Sequence, residues 1–281
     1  MPKVAVIIPN YCHAPYLKWR IDTVLGQTFT DFEVLILDDC STDNSAEVLE
    51  LYSGRENVQI EYNQENSGSV FRQWQKGIEK TDSEYVWIAE SDDWAELSFL
   101  ETLVPVLDSQ PSSVLAYCQS WIADPEFNVT GNAFCWTEDL DPNRWSQNYT
   151  SDGKDEIRQF LSVKNTIPNA SAVLQRRSVL EQCLPIESQF RLCGDWLHWV
   201  KMLSLGDVSF VSQSLNYWRE SSSNARTKFP GVLEWEEGEG ILDKIASILE
   251  MSDEQKLQMK YVFLEKCWFW LKEATIAQPV E

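Results

Sequence analysis

Glu90-Ser91-Asp92-Asp93-Trp94 follows directly on the apolar run Tyr85-Val86-Trp87-Ile88-Ala89. Three carboxylates in four residues repel one another, and a divalent cation offsets that repulsion best. Magnesium and manganese take hard oxygen ligands, commonly one or two carboxylates completed by water and substrate phosphates. Glu90, Asp92 and Asp93 are therefore candidate ligands of Mg2+ or Mn2+ held for a phosphorylated ligand. The competing reading is a solvated acidic turn that caps a helix starting near Ala95.

Those carboxylates need a frame. Val4-Ala5-Val6-Ile7-Ile8 is a β-branched apolar run, as expected of a strand buried on both faces and stopped by Pro9. Apolar residues at 17, 21, 24 and 25 have helical spacing over 14–27. Phe32 to Leu37 reads as a second buried strand ending in Asp38-Asp39, with a helix over about 44–53 after Ser41-Thr42-Asp43. Residues 58–62 alternate like a strand, 69–80 suit a helix, and Tyr85 to Ala89 is the fourth strand. Alternating strands and helices imply an α/β fold with a mostly parallel central sheet flanked by helices. Ligands of such sheets bind outside the carboxyl ends of the strands. Pro9-Asn10, Asp38-Asp39 and Glu90 to Asp93 all sit there.

The pattern continues with a helix near 96–108 and a strand near 113–119. Residues 121–168 are irregular and too long for an ordinary loop. Ala170 to Leu174 reads as a strand, Arg176 to Cys183 as a short helix, and Asp195 to Leu205 as an amphipathic helix. Val208 to Val211 and Leu215 to Arg219 suggest two short strands. Residues 221–232, with Arg226 and Lys228, suit a mobile loop. Two C-terminal helices carry the stripes Ile241, Leu242, Ile245, Ile248, Leu249 and Leu257, Tyr261, Leu264, Trp268, Leu271. Both stripes are expected to pack on the main domain or on each other. A homodimer through these helices, or a membrane-edge contact by Trp268-Phe269-Trp270, is the alternative.

The 281 residues suit one large domain with an appendage. A net charge of −21 argues against nucleic acid and anionic membrane as electrostatic partners. No apolar run is long enough for a transmembrane segment. Met-Pro-Lys leads straight into a strand-like run with no visible signal peptide. The seven cysteines are odd in number and scattered, as expected of reduced thiols in a cytoplasmic protein. With two histidines and no ligand spacing, a zinc site is not expected.

Val6 to Tyr11, Leu25 to Phe29, Phe32-Glu33-Val34, Asp38 to Ser45 and Glu84 to Asp93, in this order and spacing, resemble glycosyltransferase family 2. The resemblance is close over about 3–95 and weaker over 165–220. It implies a GT-A-type (Rossmann-like) fold and an inverting enzyme that uses a nucleotide-diphosphate sugar. Residues 1–220 would form the catalytic domain, with a nucleotide-sugar half to about 95 and an acceptor half after it. Residues 221–281 would add the loop and C-terminal helices.

By resemblance, Pro9, Asn10 and Tyr11 line the nucleoside pocket, beside Asp38. Asp39 accepts a hydrogen bond from base or ribose. Asn66, Gly68 and Arg72 lie near base and diphosphate. Glu90-Ser91-Asp92 takes the family's D-x-D place, with Asp92 as direct metal ligand, Glu90 acting through water, and Asp93 as a second acidic residue. Gly194-Asp195-Trp196 resembles the family's Glu-Asp-Trp segment, which makes Asp195 the catalytic base, although Gly194 departs from the pattern. Tyr217-Trp218-Arg219 resembles the segment before a cation-bearing loop that closes over the diphosphate, so Arg219, Arg226 and Lys228 are candidates to neutralise it, with solvated loop cations as the alternative. The implied acceptor is a saccharide or lipid-linked saccharide in bacterial surface polysaccharide synthesis. The implied place is the cytoplasm, at most peripheral to the inner membrane face.

Two other functions fit the scaffold. A sugar-nucleotide-forming nucleotidyltransferase usually carries a Gly-rich basic segment after the first strand, where this chain has Pro9 to His13. A catalytically silent carbohydrate-binding protein is left open by Glu90 and Gly194. Trp121, Trp136 and Trp145 are candidates for stacking on acceptor sugars, with ordinary packing as the alternative. His198, one helical turn after Asp195, reads best as a hydrogen-bonded structural histidine.

Overall fold

The computed structural model of the chain describes residues 1–220 and 232–276. The first half runs β1 (Val4–Asn10), α1 (Ala14–Leu25), β2 (Phe32–Asp38), α2 (Ser45–Glu50), β3 (Val58–Tyr62), α3 (Val70–Lys80) and β4 (Tyr85–Ile88). The second half runs β5 (Trp94–Ala95), α4 (Phe99–Ser109), β6 (Ser113–Ala123), β7 (Val129–Asn132), β8 (Tyr149–Ser151), α5 (Gly153–Glu156), β9 (Val173–Arg176), α6 (Arg177–Leu180), α7 (Gly194–Leu203) and β10 (Asp207–Arg219). Helices α8 (Val232–Ile248) and α9 (Asp253–Ile276) close it.

All strands join one sheet whose main path is β3-β2-β1-β4-β9-β6-β10-β5. Parallel pairing holds across β3-β2-β1-β4 and between β6 and β10. The other pairings are antiparallel, so the sheet is mixed beyond residue 88. The β1 side chains alternate between two apolar layers. Val4, Val6 and Ile8 meet Leu17, Ile21 and Val24 of α1 and Phe99, Leu100 and Leu103 of α4. Ile7 faces Phe71, Trp74 and Ile78 of α3. This double burial explains why β4 is apolar throughout and why β1 and β2 are apolar but for Asn10, Glu33 and Asp38.

Several expectations shift. Pro9 lies inside β1 rather than ending it. The acidic turn does not cap a helix; it enters β5, which pairs with β10, and α4 begins only at Phe99. The two short strands after Val208 are one strand, β10, with register shifts between Val211 and Asn216. The long segment after residue 121 extends β6 and supplies β7, β8, α5 and a π-helical turn over Ile157–Leu161. The strand expected over 170–174 starts at Val173 after a 3-10 turn. The loop with Arg226 and Lys228 falls outside the described residues.

The first C-terminal stripe packs as expected: Ile241, Leu242 and Ile245 are buried in the layer that also holds α3 and α7. The second does not. Met259 and Phe263 bury α9, while Leu257, Tyr261, Leu264 and Trp268 face outward. Among the described residues, no helix is long and apolar enough to cross a membrane.

Candidate active site

Parallel register assembles the site. Asn10 lies beside Asp38, and Ile7 beside Ile88, so the carboxyl ends of β1, β2 and β4 form one ledge. The chain leaves β1 and β2 through Cys12 and Cys40, both in the left-handed backbone region at φ 57° and 63°. Above the ledge opens a cleft of about 410 Å³. It is lined by Pro9, Asn10, Tyr11, Asp39, Asn66, Gly68, Glu90, Ser91 and Asp92, all expected from sequence, and by His13, Ser69, Val70 and Gln73.

Asp39 organises the wall opposite the acidic turn. Its Oδ1 accepts hydrogen bonds from Asn63 Nδ2 (2.6 Å), the Ser67 amide (2.9 Å) and Gln73 Nε2 (2.9 Å). Its Oδ2 accepts from Ser67 Oγ at 2.6 Å and Asn66 Nδ2 at 3.3 Å. Charge-assisted bonds of this kind are roughly twice as strong as neutral ones, so β2 and the loop before α3 are fastened together. Asp38 sits below the ledge, accepting from Asn10 Nδ2 at 2.7 Å and from the Ser41 amide at 2.9 Å. Arg72 donates to the Ser67 carbonyl at 2.8 Å and supports that loop from outside the cleft lining.

Three buried polar atoms of cleft residues have no hydrogen-bond partner: Asn10 Oδ1, Ser69 Oγ and Gln73 Oε1. Buried polar groups are almost always paired. These atoms are suited to hydrogen-bond donors on a ligand, such as base N–H or ribose hydroxyl groups.

The acidic turn is held from beneath. Glu90 Oε1 accepts from Trp74 Nε1 at 2.7 Å, and its carbonyl accepts from Arg20 Nε at 2.8 Å. Burial and the charges of Asp92 and Asp93 raise the Glu90 carboxyl to about 8, although Trp74 and Arg20 oppose the rise. Burial lowers Arg20 to about 10, still cationic at neutral pH. Ser91 Oγ shares a hydrogen bond with His13 Nδ1 at 2.8 Å.

Like Asp38 and Arg72, two further expected residues lie outside the cleft lining. Asp93 is buried and does not line the cleft. Its carboxylate accepts from Asn169 Nδ2 (2.9 Å), Ser171 Oγ (2.7 Å) and the Arg219 amide (2.9 Å). The Arg219 guanidinium is caged rather than directed at a diphosphate. It donates to the carbonyls of Asp92 (2.7 Å), Asp124 (2.9 Å) and Pro125 (3.2 Å) and lies over the rings of Tyr16, Phe127 and Trp94. Its anchoring of the Asp92 backbone is a structural task.

Asp195 occupies the first turn of α7, outside the lining of the cleft. Its Oδ1 accepts from the Trp196 amide at 2.7 Å and its Oδ2 from Asn165 Nδ2 at 3.1 Å. Asn165 is four residues from Asn169, which binds Asp93, and that spacing is at most about 14 Å of chain. One short segment therefore ties Asp195 to the acidic turn. On the other side, α7 meets α3: a Cβ on Gly194 would come within 2.5 Å of the Phe71 ring. Gly194 thus has a packing reason. Gly194→Ala is expected to cost about 1–3 kcal/mol by overpacking, and an unchanged urea midpoint would refute the close fit.

His198 is buried, as its reading from sequence held, with Nε2 2.7 Å from Gln175 Oε1. Burial lowers its pKa from 6.5 to about 3, with a smaller contribution from Lys201. The unfolded chain takes up that proton below pH 6.5 and the folded chain does not, so stability falls as pH drops from 6.5 towards 3. His198→Gln is expected to flatten this loss by up to about 1.4 kcal/mol per pH unit, read from urea midpoints at successive pH values. Of the candidate stacking tryptophans, Trp145 is buried, and Trp136 donates to the Asn165 carbonyl at 2.7 Å.

Sequence reasoning missed His13, Gln73, Trp74, Asn169 and Ser171. Gln73 had a signal: it is a polar residue on the apolar face of α3, between Phe71 and Trp74. Asn169 and Ser171 interrupt an otherwise apolar run before β9.

The family model described as Glycosyl transferase family 2 matches residues 5–184. Glycosyltransferase GlyG of Streptococcus pneumoniae serotype 4 is 31% identical over 139 residues, which cover 48% of this chain and 46% of that protein. The putative teichuronic acid biosynthesis glycosyltransferase TuaG of Bacillus subtilis is 36% identical over 93 residues, 33% of this chain and 36% of that one. The chain thus spans less than half the length of these curated relatives. Among solved structures, S. aureus TarS 1-349 in complex with UDP-GlcNAc superposes with a TM-score of 0.72 at 17% identity, covering 95% of this chain and 73% of that chain. The mannosyltransferase PcManGT from Pyrobaculum calidifontis, in complex with GDP-Man and Mn2+, gives 0.63 at 14% identity, covering 99% and 76%. These likenesses show the GT-A fold. The family match runs from β1 through the acidic turn and past β9, and the chain belongs to glycosyl transferase family 2.

Proposed function

We propose that the protein is an inverting glycosyltransferase that moves a sugar from a nucleotide-diphosphate sugar to an acceptor hydroxyl. The observation that carries this is one cleft whose lining brings Asn10, Asp39, Asn66 and Gln73 together with Glu90 and Asp92. The nucleoside would bind along Asn10, Asp39, Asn66 and Gln73, and the diphosphate would lie towards the acidic turn.

That turn fits a divalent cation. Its donors are hard carboxylate oxygens, and their mutual repulsion is what raises Glu90 after burial, a penalty that a positive charge in the cleft relieves. Glu90 and Asp92 would hold the ion, with waters and donor phosphates completing its shell, since the described residues offer no group of three acidic, cysteine or histidine side chains. A bound Mg2+ or Mn2+ supplies Lewis-acid stabilisation of the charge that builds on the leaving diphosphate. PcManGT, with its Mn2+, supports this reading.

Asp195 would accept the proton of the attacking hydroxyl. Asn165 and the Trp196 amide fix its rotamer, so the carboxylate need not reorganise as the reaction proceeds. The proton leaves the acceptor oxygen as its bond to the anomeric carbon forms and the bond to the diphosphate oxygen breaks. Backside attack inverts the configuration. The acceptor we propose is a saccharide or lipid-linked saccharide in surface polysaccharide assembly, a setting in keeping with TuaG, whose name places it in teichuronic acid biosynthesis, while TarS is named for a different acceptor, poly(ribitol-phosphate).

The test is release of nucleoside diphosphate from a panel of nucleotide sugars, with and without manganese. Metal-dependent release supports the transferase. Formation or consumption of pyrophosphate favours a nucleotidyltransferase, and silence with retained sugar binding favours a binding protein.

A further inference from the structure

Three consecutive backbone amides on the way into α7 converge on one side chain. Glu237 of α8 accepts from the Arg191 amide on Oε1 (2.7 Å) and from the Leu192 and Cys193 amides on Oε2 (3.0 and 2.8 Å). A row of successive amides makes an anion-binding concavity. Here the chain fills it with its own carboxylate, from 44 to 46 residues further on. Hydrogen bonds to a carboxylate are roughly twice as strong as neutral ones, so this stretch of backbone is pinned. Helix α7 begins at the next residue, Gly194, and Asp195 follows. Gly194 shows why the hold comes from another element: a Cβ there would come within 2.5 Å of the Phe71 ring, so no side chain fits at the first position of α7 unless that ring moves.

Helix α8 is itself fixed against the same turn. Phe263 of α9 stacks on Trp235, with ring centroids 5.9 Å apart and planes at 14°, and its ring lies 5.6 Å from that of Trp196. A Cβ on Gly238 would come within 2.4 Å of the Phe263 ring, so α8 and α9 are in close contact there. Residues 235–238 of α8 thus meet residues 191–196 twice, directly through Glu237 and by way of Phe263. Trp196 is held further by its Nε1, which donates to the Leu161 carbonyl at 3.0 Å. Asp195 lies between these grips. Glu237 does not line the donor cleft, so any effect it has on the reaction passes through α7.

We infer that Glu237 is a positioning residue: by pinning the amides of residues 191–193 it sets where α7 starts, and so where Asp195 meets the acceptor hydroxyl. The inference rests on Asp195 as the base, and it makes the C-terminal helices a working part of the acceptor half. Glu237→Gln keeps the length of the side chain, removes its charge and sets an N–H group against backbone N–H groups. Four full-length forms are compared: parent, Glu237→Gln, Asp195→Asn and the double variant. The readout is nucleoside diphosphate release from a panel of nucleotide sugars that includes UDP-GlcNAc and GDP-Man, with manganese and with water as acceptor. A misplacement of about 1 Å can cost on the order of 10²-fold, so Glu237→Gln is expected to lose about 10–100-fold in kcat. Donor KM and the circular dichroism spectrum are expected to stay unchanged, and amide hydrogen exchange over residues 191–196 to quicken. Because the effect passes through Asp195, the loss is expected to vanish in the Asp195→Asn background. Parent-like kcat in Glu237→Gln overturns the inference. So does a loss of equal size in the Asp195→Asn background, which would mark a general loosening of the fold. A parent silent with the whole panel, or an Asp195→Asn variant as active as the parent, strikes the reading beneath it instead, and each is seen without reference to Glu237.

Discussion

Asp195→Asn is expected to bind nucleotide sugar as the parent does while losing about 10²–10⁴ in kcat, the usual contribution of a general base. The substitution conserves shape but keeps one acceptor oxygen of the two, so either Asn165 or the Trp196 amide loses its side-chain partner, while the donor cleft, which Asp195 does not line, should be untouched. The informative comparison is KM for donor against kcat. A base acts only as the proton moves, so its loss should lower kcat and kcat/KM together and leave donor affinity alone. Turnover close to the parent's would remove Asp195 from the mechanism, whatever its neighbours.

Asp92→Ala is expected to weaken nucleotide-diphosphate binding in the presence of manganese by at least about 10–100-fold, the loss seen when even outer-shell partners of a metal are removed. Titration calorimetry with and without the metal reads it directly. The expected signature is a parent affinity that rises with manganese and a variant affinity that does not. Equal affinities for parent and variant under both conditions would mean that the cation, if one binds, is held elsewhere. The Asp92 backbone is anchored by Arg219 and should stay in place when the side chain is cut, so the effect isolates the carboxylate.

The first ninety residues were legible because buried parallel strands write themselves as unbroken apolar runs, and the polar residue after each run falls on the functional edge. Asn10, Asp39, Glu90 and Asp92 were all placed this way, and the cleft brings them together. Asp93 and Arg219 were misplaced for a shared reason. Both are charged residues at the end of a strand or just after one, and sequence does not say which way such a side chain turns. The turn between β4 and β5 carries Asp93 into the protein, where Asn169 and Ser171 satisfy it.

The second half was less legible because its strands are short, mixed in direction and paired across long gaps. β9 lies between β4 and β6 although residues 124–172 separate it from β6, and a still longer stretch from β4, along the chain. No local pattern encodes such a pairing. The C-terminal stripe misled differently. Periodicity in α9 correctly marked an apolar face, but the face that packs inward runs through Met259 and Phe263.

The caged guanidinium of Arg219 has an evolutionary corollary. It reaches from the end of β10 to the acidic turn after β4 and to the hairpin between β6 and β7. One side chain thus rivets together stretches that lie 127, 95 and 94 residues from it in sequence. The first ninety-odd residues are therefore no detachable cassette. Recombination that swapped the later half for a foreign one would have to import an equivalent rivet, or the borrowed front end would lose the shape of its own acidic turn.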